Sequence, residues 1–148
     1  VEARDSKDFL IVARTDARTD YGLDEALRRG EAFAKAGADI LFIESPESVE
    51  EMEKICASND LPLLVNVVDG GSTPVLSHED YIKIGYQMAI FPGTGFLSVG
   101  AALEGAYSHL KQTGSSKGTK VPLVEFMEFS RMMGFEEVWE FERQHAQD

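Results

Sequence analysis

The chain has 148 residues, 43% of them hydrophobic, and a formal net charge of −12 from 14 Lys and Arg against 26 Asp and Glu. That is enough chain and enough apolar surface for a folded domain, which excludes a disordered polymer. The acidic balance repels phosphate backbones and anionic membranes, so nucleic acid and membrane surfaces are set aside as partners.

Four short apolar runs read as buried strands: "FLIVA" at 9–13, "DILFI" at 39–43, "LPLLVNV" at 61–67 and "QMAIF" at 87–91. They are continuously apolar rather than alternating, as expected of parallel strands covered on both faces. Helical patterns separate them. Leu23, Ala26, Leu27, Gly30, Phe33 and Ala34 keep one face, and "KAGAD" then supplies a glycine stop. A second helix is expected from Ser48, with Glu51 completing a capping box, and a third from Ser77 as N-cap. Phe96, Val99, Leu103, Ala106, Tyr107 and Leu110 mark a longer amphipathic helix ending at Gly114.

Strand starts at 9, 39, 61 and 87 give a strand-helix unit every 22 to 30 residues, the spacing of right-handed parallel βαβ construction. The expected organisation is four βα units over 1–113, a flexible linker "GSSKGTK" at 114–120, and a helical tail over 121–148 that must bury Phe126, Phe129, Trp139 and Phe141. No window reaches the roughly 18 consecutive apolar residues of a membrane span, and "VEARDSKDF" lacks the regions of a signal peptide, so a cytoplasmic location is expected. A chain opening on Val1 also leaves room for upstream sequence carrying an address.

Each strand is followed by polar or conformationally special residues: Arg14 and Asp16, then Glu44, then Asn66 and Asp69-Gly70-Gly71, then Pro92-Gly93-Thr94-Gly95. In parallel α/β folds ligands bind beyond the carboxyl ends of the strands, so these groups should converge on one rim. Arg14 can fork onto a carboxylate or phosphate, or form a structural ion pair with Asp16 or Glu44, and both can hold at once. Glu44 can orient Arg14, accept a proton or balance charge. Asn66, isolated in "LLVNVV", is either a ligand contact or a satisfied core amide. "DGGSTP" and "PGTG" offer backbone N–H groups of the kind that hold anions.

Other motifs are weaker. No Walker sequence and no GxGxxG follows a strand. His78, His109 and His145 are dispersed and read as solvated, and Glu47, Glu50, Glu51 and Glu53 read as a solvated helix face. The single Cys56 excludes an intramolecular disulfide and sits at a helical spacing from Val49 and Met52, as buried filler rather than a nucleophile.

Together "ARTDA" at 13–17, "EAFAKAGADILFIESP" at 31–46, "NVVDGGSTP" at 66–74 and "GYQMAIFPGTGF" at 85–96 resemble the isocitrate lyase and phosphoenolpyruvate mutase superfamily. The similarity is strongest to the 2-methylisocitrate lyase, oxaloacetate hydrolase and carboxyphosphonoenolpyruvate mutase-like branch. The resemblance implies an enzyme built as a (β/α)8 barrel, in which Mg²⁺ or Mn²⁺ holds a small 2-oxo or 2-hydroxy acid and an enolate-type intermediate forms. It gives Arg14 the role of gripping a carboxylate or phosphoryl group. Glu44 and Asn66 complete the pocket, with Pro92, Gly93 and Thr94 as further substrate contacts. Asp69 stands where the family more often has Glu.

The resemblance covers only the family's C-terminal half. It therefore implies that the metal ligands, and the mobile loop carrying the Lys-Lys/Arg-Cys-Gly-His motif, lie upstream of this chain. The 148 residues alone are then expected to be inactive, and likeness of the tail to the family's last helices implies a homo-oligomer. Phosphonate mutase or hydrolase chemistry is the alternative within the superfamily. A non-catalytic fragment, an assembly module or a flavodoxin-like open sheet that binds an anion is the alternative outside it.

Overall fold

The computed structural model describes residues 1–146; the last two positions of the expected 121–148 tail, Gln147 and Asp148, lie outside the described residues. The elements in chain order are β1 (Val12–Thr15), α1 (Ala17–Tyr21), α2 (Leu23–Lys35), β2 (Ile40–Ile43), α3 (Val49–Ala57), β3 (Leu64–Asn66), α4 (His78–Ile84), β4 (Met88–Ile90), α5 (Pro92–Thr113), α6 (Phe126–Met132) and α7 (Phe135–His145). The chain divides into two compact units, Val1–Ser98 and Val99–Asp148.

In the first unit strands and helices alternate, so the α/β expectation holds. β1 runs parallel to β2, from Val12 opposite Ile40 to Thr15 opposite Ile43. β3 runs parallel to β4, from Leu64 opposite Met88 to Asn66 opposite Ile90. A single parallel bridge, Leu41 to Leu63, links the pairs, and the Leu41 N–H donates to the Pro62 carbonyl at 3.0 Å. The inner strand β2 is buried at all four positions, whereas Val12 of β1 and Ile90 of β4 are exposed.

The core forms where helices lie on the inner strands. Leu41, Ile43, Val65 and Val67 pack with Ala26, Met52, Ile55, Tyr81 and Tyr86. Gly30 of α2 permits this approach, since a Cβ there would stand 3.1 Å from Ile43 Cδ1. At the far end of α4, Gly85 closes the helix at φ +117°, a conformation that penalises any side chain.

Several expectations shift. The first strand runs 12–15 rather than 9–13: Phe9 and Leu10 are exposed ahead of it, and the ladder with β2 draws Arg14 and Thr15 in. The third strand shrinks from 61–67 to Leu64–Asn66. α1 was not foreseen, because five residues are too few to display a period. α5 starts at Pro92 rather than near Phe96, so "PGTG" is a first helical turn, with Pro at the position where a missing N–H costs nothing.

The caps at Ser48 and Ser77 form as read, accepting from the Glu51 and Asp80 N–H groups at 3.2 Å each. The box at Ser48 does not close, because the Glu51 carboxylate turns instead to the Glu47 N–H at 2.8 Å. In the second unit Phe126, Phe129 and Phe141 are exposed and Trp139 is half-buried within the single chain, and α5 has no buried residue. Their apolar faces are present, but the described residues supply nothing to cover them.

Candidate functional site

The site begins with the ends of three strands. Arg14 is the third residue of β1, opposite Phe42 in the ladder, and its guanidinium lies over the Phe42 ring at 4.7 Å. Its Nε and Nη2 donate to the two Asp16 oxygens at 3.2 and 2.8 Å, and Nη2 stands 3.3 Å from Glu44 Oε2. The hydrogen bond to Asp16 raises the Arg14 pKa against the opposing cost of desolvation, and draws the Asp16 carboxyl below its ordinary value. Arg14 is half exposed, so one face of the guanidinium remains open to solvent.

Glu44 is the first residue beyond β2, and its side chain is only 13% exposed. Its Oε1 accepts from the Asn66 amide at 3.1 Å and from the Ser45 hydroxyl at 3.4 Å. Arg14, Glu44 and Asn66 therefore form one polar line across the ends of β1, β2 and β3. The carboxylate fixes the Asn66 amide as well: a flipped side chain would set oxygen against oxygen. That leaves Asn66 Oδ1, like Glu44 Oε2, buried with no hydrogen-bond partner. Orphaned buried acceptors are rare enough to call for an explanation.

Both residues line a cleft of about 240 Å³ whose opposite wall is Val68, Gly71, Ser72 and Thr73, from the loop after β3. The remaining expected contacts do not line this cleft, but Gly93 abuts its wall, since a Cβ there would stand 3.3 Å from Val68 Cγ1. Pro92, Gly93 and Thr94 form the first turn of α5, and the Thr94 hydroxyl donates to Asp69 Oδ2 at 3.3 Å. Asp69 thus has a partner within its own neighbourhood.

Sequence reasoning passed over Ser45, Ser72, Thr73 and Arg18. The first has no signature in residue type, since what distinguishes it is a left-handed φ of +58°. Ser72 and Thr73 sit inside "DGGSTP", which was read only for its glycines. Arg18 was visible as a second arginine in "ARTDAR", and it corrects the solvated reading of Glu51. Its Nε and Nη2 donate to Glu51 at 3.0 and 2.8 Å, and Nη1 pairs with Glu47.

Cys56 is half buried, and desolvation pushes its thiol up to about 11, which keeps it protonated near neutral pH and unsuited to nucleophilic attack. Among the described residues, no three His, Cys, Asp or Glu side chains converge where a metal ion could be held, and no helix is long and apolar enough to cross a membrane.

Comparison with known proteins turns this geometry into a lineage. Residues 1–111 match the family model for phosphoenolpyruvate phosphomutase. The chain is 42% identical over 146 residues to the 2,3-dimethylmalate lyase of Eubacterium barkeri, covering 99% of this chain and 50% of that protein. It is 36% identical over 109 residues to the 2-methylisocitrate lyase of Bacillus subtilis (strain 168), covering 74% and 36%. A crystal structure of phosphonopyruvate hydrolase in complex with oxalate and Mg²⁺ superposes with a TM-score of 0.77 at 25% identity, over 99% of this chain and 52% of that one. The chain thus spans half or less of the length of these curated relatives. With the family model matched from Val1 to Lys111 and strand ends that carry the quoted motifs, the chain belongs to the phosphoenolpyruvate mutase and isocitrate lyase superfamily of enzymes.

Proposed function

We propose that this chain is the C-terminal half of a (β/α)8 barrel and supplies the acid-gripping rim of a carbon–carbon lyase or hydrolase. Its substrate is a small 2-oxo or 2-hydroxy di- or tricarboxylate of the 2-methylisocitrate, dimethylmalate or oxaloacetate type. The observation that carries the reading is the Arg14–Glu44–Asn66 line beside a cleft, with Asn66 Oδ1 buried and unpartnered and Glu44 Oε2 buried with only the Arg14 guanidinium, 3.3 Å away, facing it. The relatives' named activities support it, and so does the oxalate, a two-carbon diacid, bound by a structural neighbour.

In such a cleavage the substrate hydroxyl gives its proton to a base outside this chain and its carbon becomes a carbonyl. The electrons of the breaking carbon–carbon bond move onto the carbon next to a carboxylate to give an enolate-type intermediate, and an acid outside this chain then protonates that carbon. Arg14 does the gripping: its Nη1 is not engaged by the bonds to Asp16 and Glu44 and can donate to a carboxylate. Glu44 holds Arg14 and Asn66 in register, and Asn66 Oδ1 accepts from a ligand hydroxyl. The open N–H groups of Gly93 and Thr94, in the first turn of α5, add to the anion's binding.

Among the described residues no three His, Cys, Asp or Glu side chains converge to hold a metal ion. Mg²⁺ or Mn²⁺ belongs to the complete enzyme in this proposal, on ligands outside the chain, and the 148 residues alone are inactive. Its setting in this proposal is cytoplasmic. The tail after residue 120 packs on a neighbouring subunit, which the exposure of Phe126, Phe129, Met132 and Met133 supports.

Arg14→Lys in the complete polypeptide tests the assignment, with dimethylmalate, 2-methylisocitrate, oxaloacetate and phosphonopyruvate offered in turn. Lysine keeps the charge and loses the fork. We expect kcat/KM on the preferred substrate to fall about tenfold or more, roughly 1.4 kcal/mol of transition-state stabilisation. The melting temperature should barely move, since a half-exposed ion pair contributes only about 0 to 1 kcal/mol. A fully active but poorly folded variant would make the strand-end charges structural. Turnover of phosphonopyruvate alone would move the enzyme to the phosphonate branch.

A further inference from the structure

Between Glu44, the middle of the polar line, and Glu47 there are only two residues, and both are constrained. Ser45 has a φ of +58°, uncommon for any residue but glycine, and it precedes a proline, which disfavours helical conformations at that position further. Pro46 is fully buried. A backbone held this way persists only when its surroundings over-determine it.

The surroundings are a cluster outside the cleft. Arg18, on α1, engages Glu51 through a two-pronged fork at 3.0 and 2.8 Å and reaches Glu47 with its other nitrogen, and its side chain is only 15% exposed. The same Glu51 carboxylate accepts the Glu47 N–H at 2.8 Å, while the Glu51 N–H is capped by Ser48 at 3.2 Å. Three residues, one from α1 and two from the loop and first turn of α3, thus fasten the chain directly beyond Pro46. On the other side of Ser45, the ladder ends at Ile43, and the Glu44 N–H donates to the Thr15 carbonyl at 3.0 Å. The turn is clamped at both ends, so the direction of the Glu44 side chain follows from the clamp.

We propose that Arg18 is a positioning residue for Glu44: by pinning Glu47 and Glu51 to α1 it holds the Ser45–Pro46 turn that aims the Glu44 carboxylate at Arg14 and Asn66. This rests on the reading above, that Glu44 and Arg14 meet the reacting acid. The Arg18 guanidinium bonds to Glu47 and Glu51, neither of which lines the cleft, so it acts through the turn. The fork geometry is what counts, because lysine presents a single point charge and cannot hold Glu51 by two prongs while reaching Glu47.

The test uses the complete polypeptide and the substrate it turns over best, with Arg18→Lys, Glu47→Gln and Glu44→Gln made singly and Arg18→Lys and Glu47→Gln each combined with Glu44→Gln. Assays run at a temperature where far-UV circular dichroism finds each variant folded. Arg18→Lys should lower kcat about tenfold with KM nearly unchanged, since Arg14 still attracts the acid while the alignment of its partner is lost. Glu47→Gln, which leaves the Arg18–Glu51 fork in place, should lower kcat by a smaller factor and serves if Arg18→Lys does not fold.

Each double variant should be no slower than Glu44→Gln alone, because both changes act at one carboxylate. Multiplying effects in the doubles, or single variants with parental kcat and a lowered melting temperature, would overturn the inference and leave Arg18 a structural tie. A fully active Glu44→Gln enzyme would instead sink the reading of the site on which the inference stands.

Discussion

Residues 1–98 and residues 99–146 carry the same kind of amphipathic pattern and meet different fates. In the first region, Ala26 and Gly30 of α2, Met52 and Ile55 of α3 and Tyr81 of α4 all reach burial against strand residues. In the second, Leu103, Tyr107 and Leu110 stand at i, i+4 and i+7 on α5, yet all three are exposed, and Ser130 is the one buried residue among those described. Periodicity specifies a face; it does not supply what covers it. The polar contacts differ in the same way. Arg18 to Glu51, Arg4 to Asp39 and Asn66 to Glu44 tie segments 33, 35 and 22 residues apart, whereas the side-chain bonds of 99–146 reach at most 8 residues, from His109 to Lys117.

The sharpest way to break this contrast is a pair of truncations in the isolated 148-residue chain. Leu41→Ala removes a side chain that is 2% exposed at the centre of β2, and should cost about 3 kcal/mol in urea unfolding through lost burial and the cavity left behind. Leu103→Ala, at a site 50% exposed, should cost under about 0.5 kcal/mol. A comparable loss at Leu103, growing with protein concentration, would mean that a second copy covers α5.

The contrast also explains what the sequence could disclose. β2 was legible as 39–43, because "ILFI" is bounded by a charged residue on each side and buried throughout. β1 was placed three residues too early at its start and two at its end, since hydrophobicity counted Phe9 and Leu10, while strand limits are set by the ladder to Ile40–Ile43. Arg14, Glu44 and Asn66 stood out by residue type and place, as polar groups at the ends of apolar runs, while their expected roles came from the family resemblance. Ser45 gave no signal, and Arg18 was visible as a residue but not in its role: a left-handed φ and a side-chain contact 33 residues away arise only in the folded chain. The apolar stripes of α5, α6 and α7 were legible as stripes, but what covers them was not, because burial needs a partner surface and a period names only the face.

Helix caps give a smaller effect that sharpens the comparison. Ser48 caps α3 by accepting the Glu51 N–H at 3.2 Å, and α3 delivers the buried Met52 and Ile55 to the core. Ser48→Ala should therefore cost about 1 kcal/mol of the first region's stability. Glu125 caps α6 in the same sense, accepting the Glu128 N–H at 2.8 Å, but α6 buries only Ser130. Glu125→Ala should lower helical circular dichroism while leaving the urea midpoint of the first region unchanged. Equal shifts in that midpoint would show that the two regions unfold as one.

The smallest effect is electrostatic and depends on pH. Asp39 accepts the Ile11 N–H at 2.8 Å and the Arg4 guanidinium at 2.5 Å, and these two contacts, the backbone one first, draw its pKa below the ordinary 3.8. A carboxyl lowered in the folded state stabilises the fold at every pH above 3.8, and that contribution drains away as pH falls through the folded value. Asp39→Asn should thus lower the melting temperature at pH 7, and the gap to the parent should close in acid below pH 3.8. Glu140 is also drawn below its ordinary value, by Arg143 three residues on and then by Gln144, both on the same α7. Glu140→Gln should leave the melting temperature of the first region unmoved at any pH, because its pair closes no distant segments. An Asp39→Asn gap that persists unchanged down to pH 2, or a Glu140→Gln effect of the same size, would show that the loop joining α2 to β2 is held by packing alone and that long-range polar ties do not distinguish the two regions.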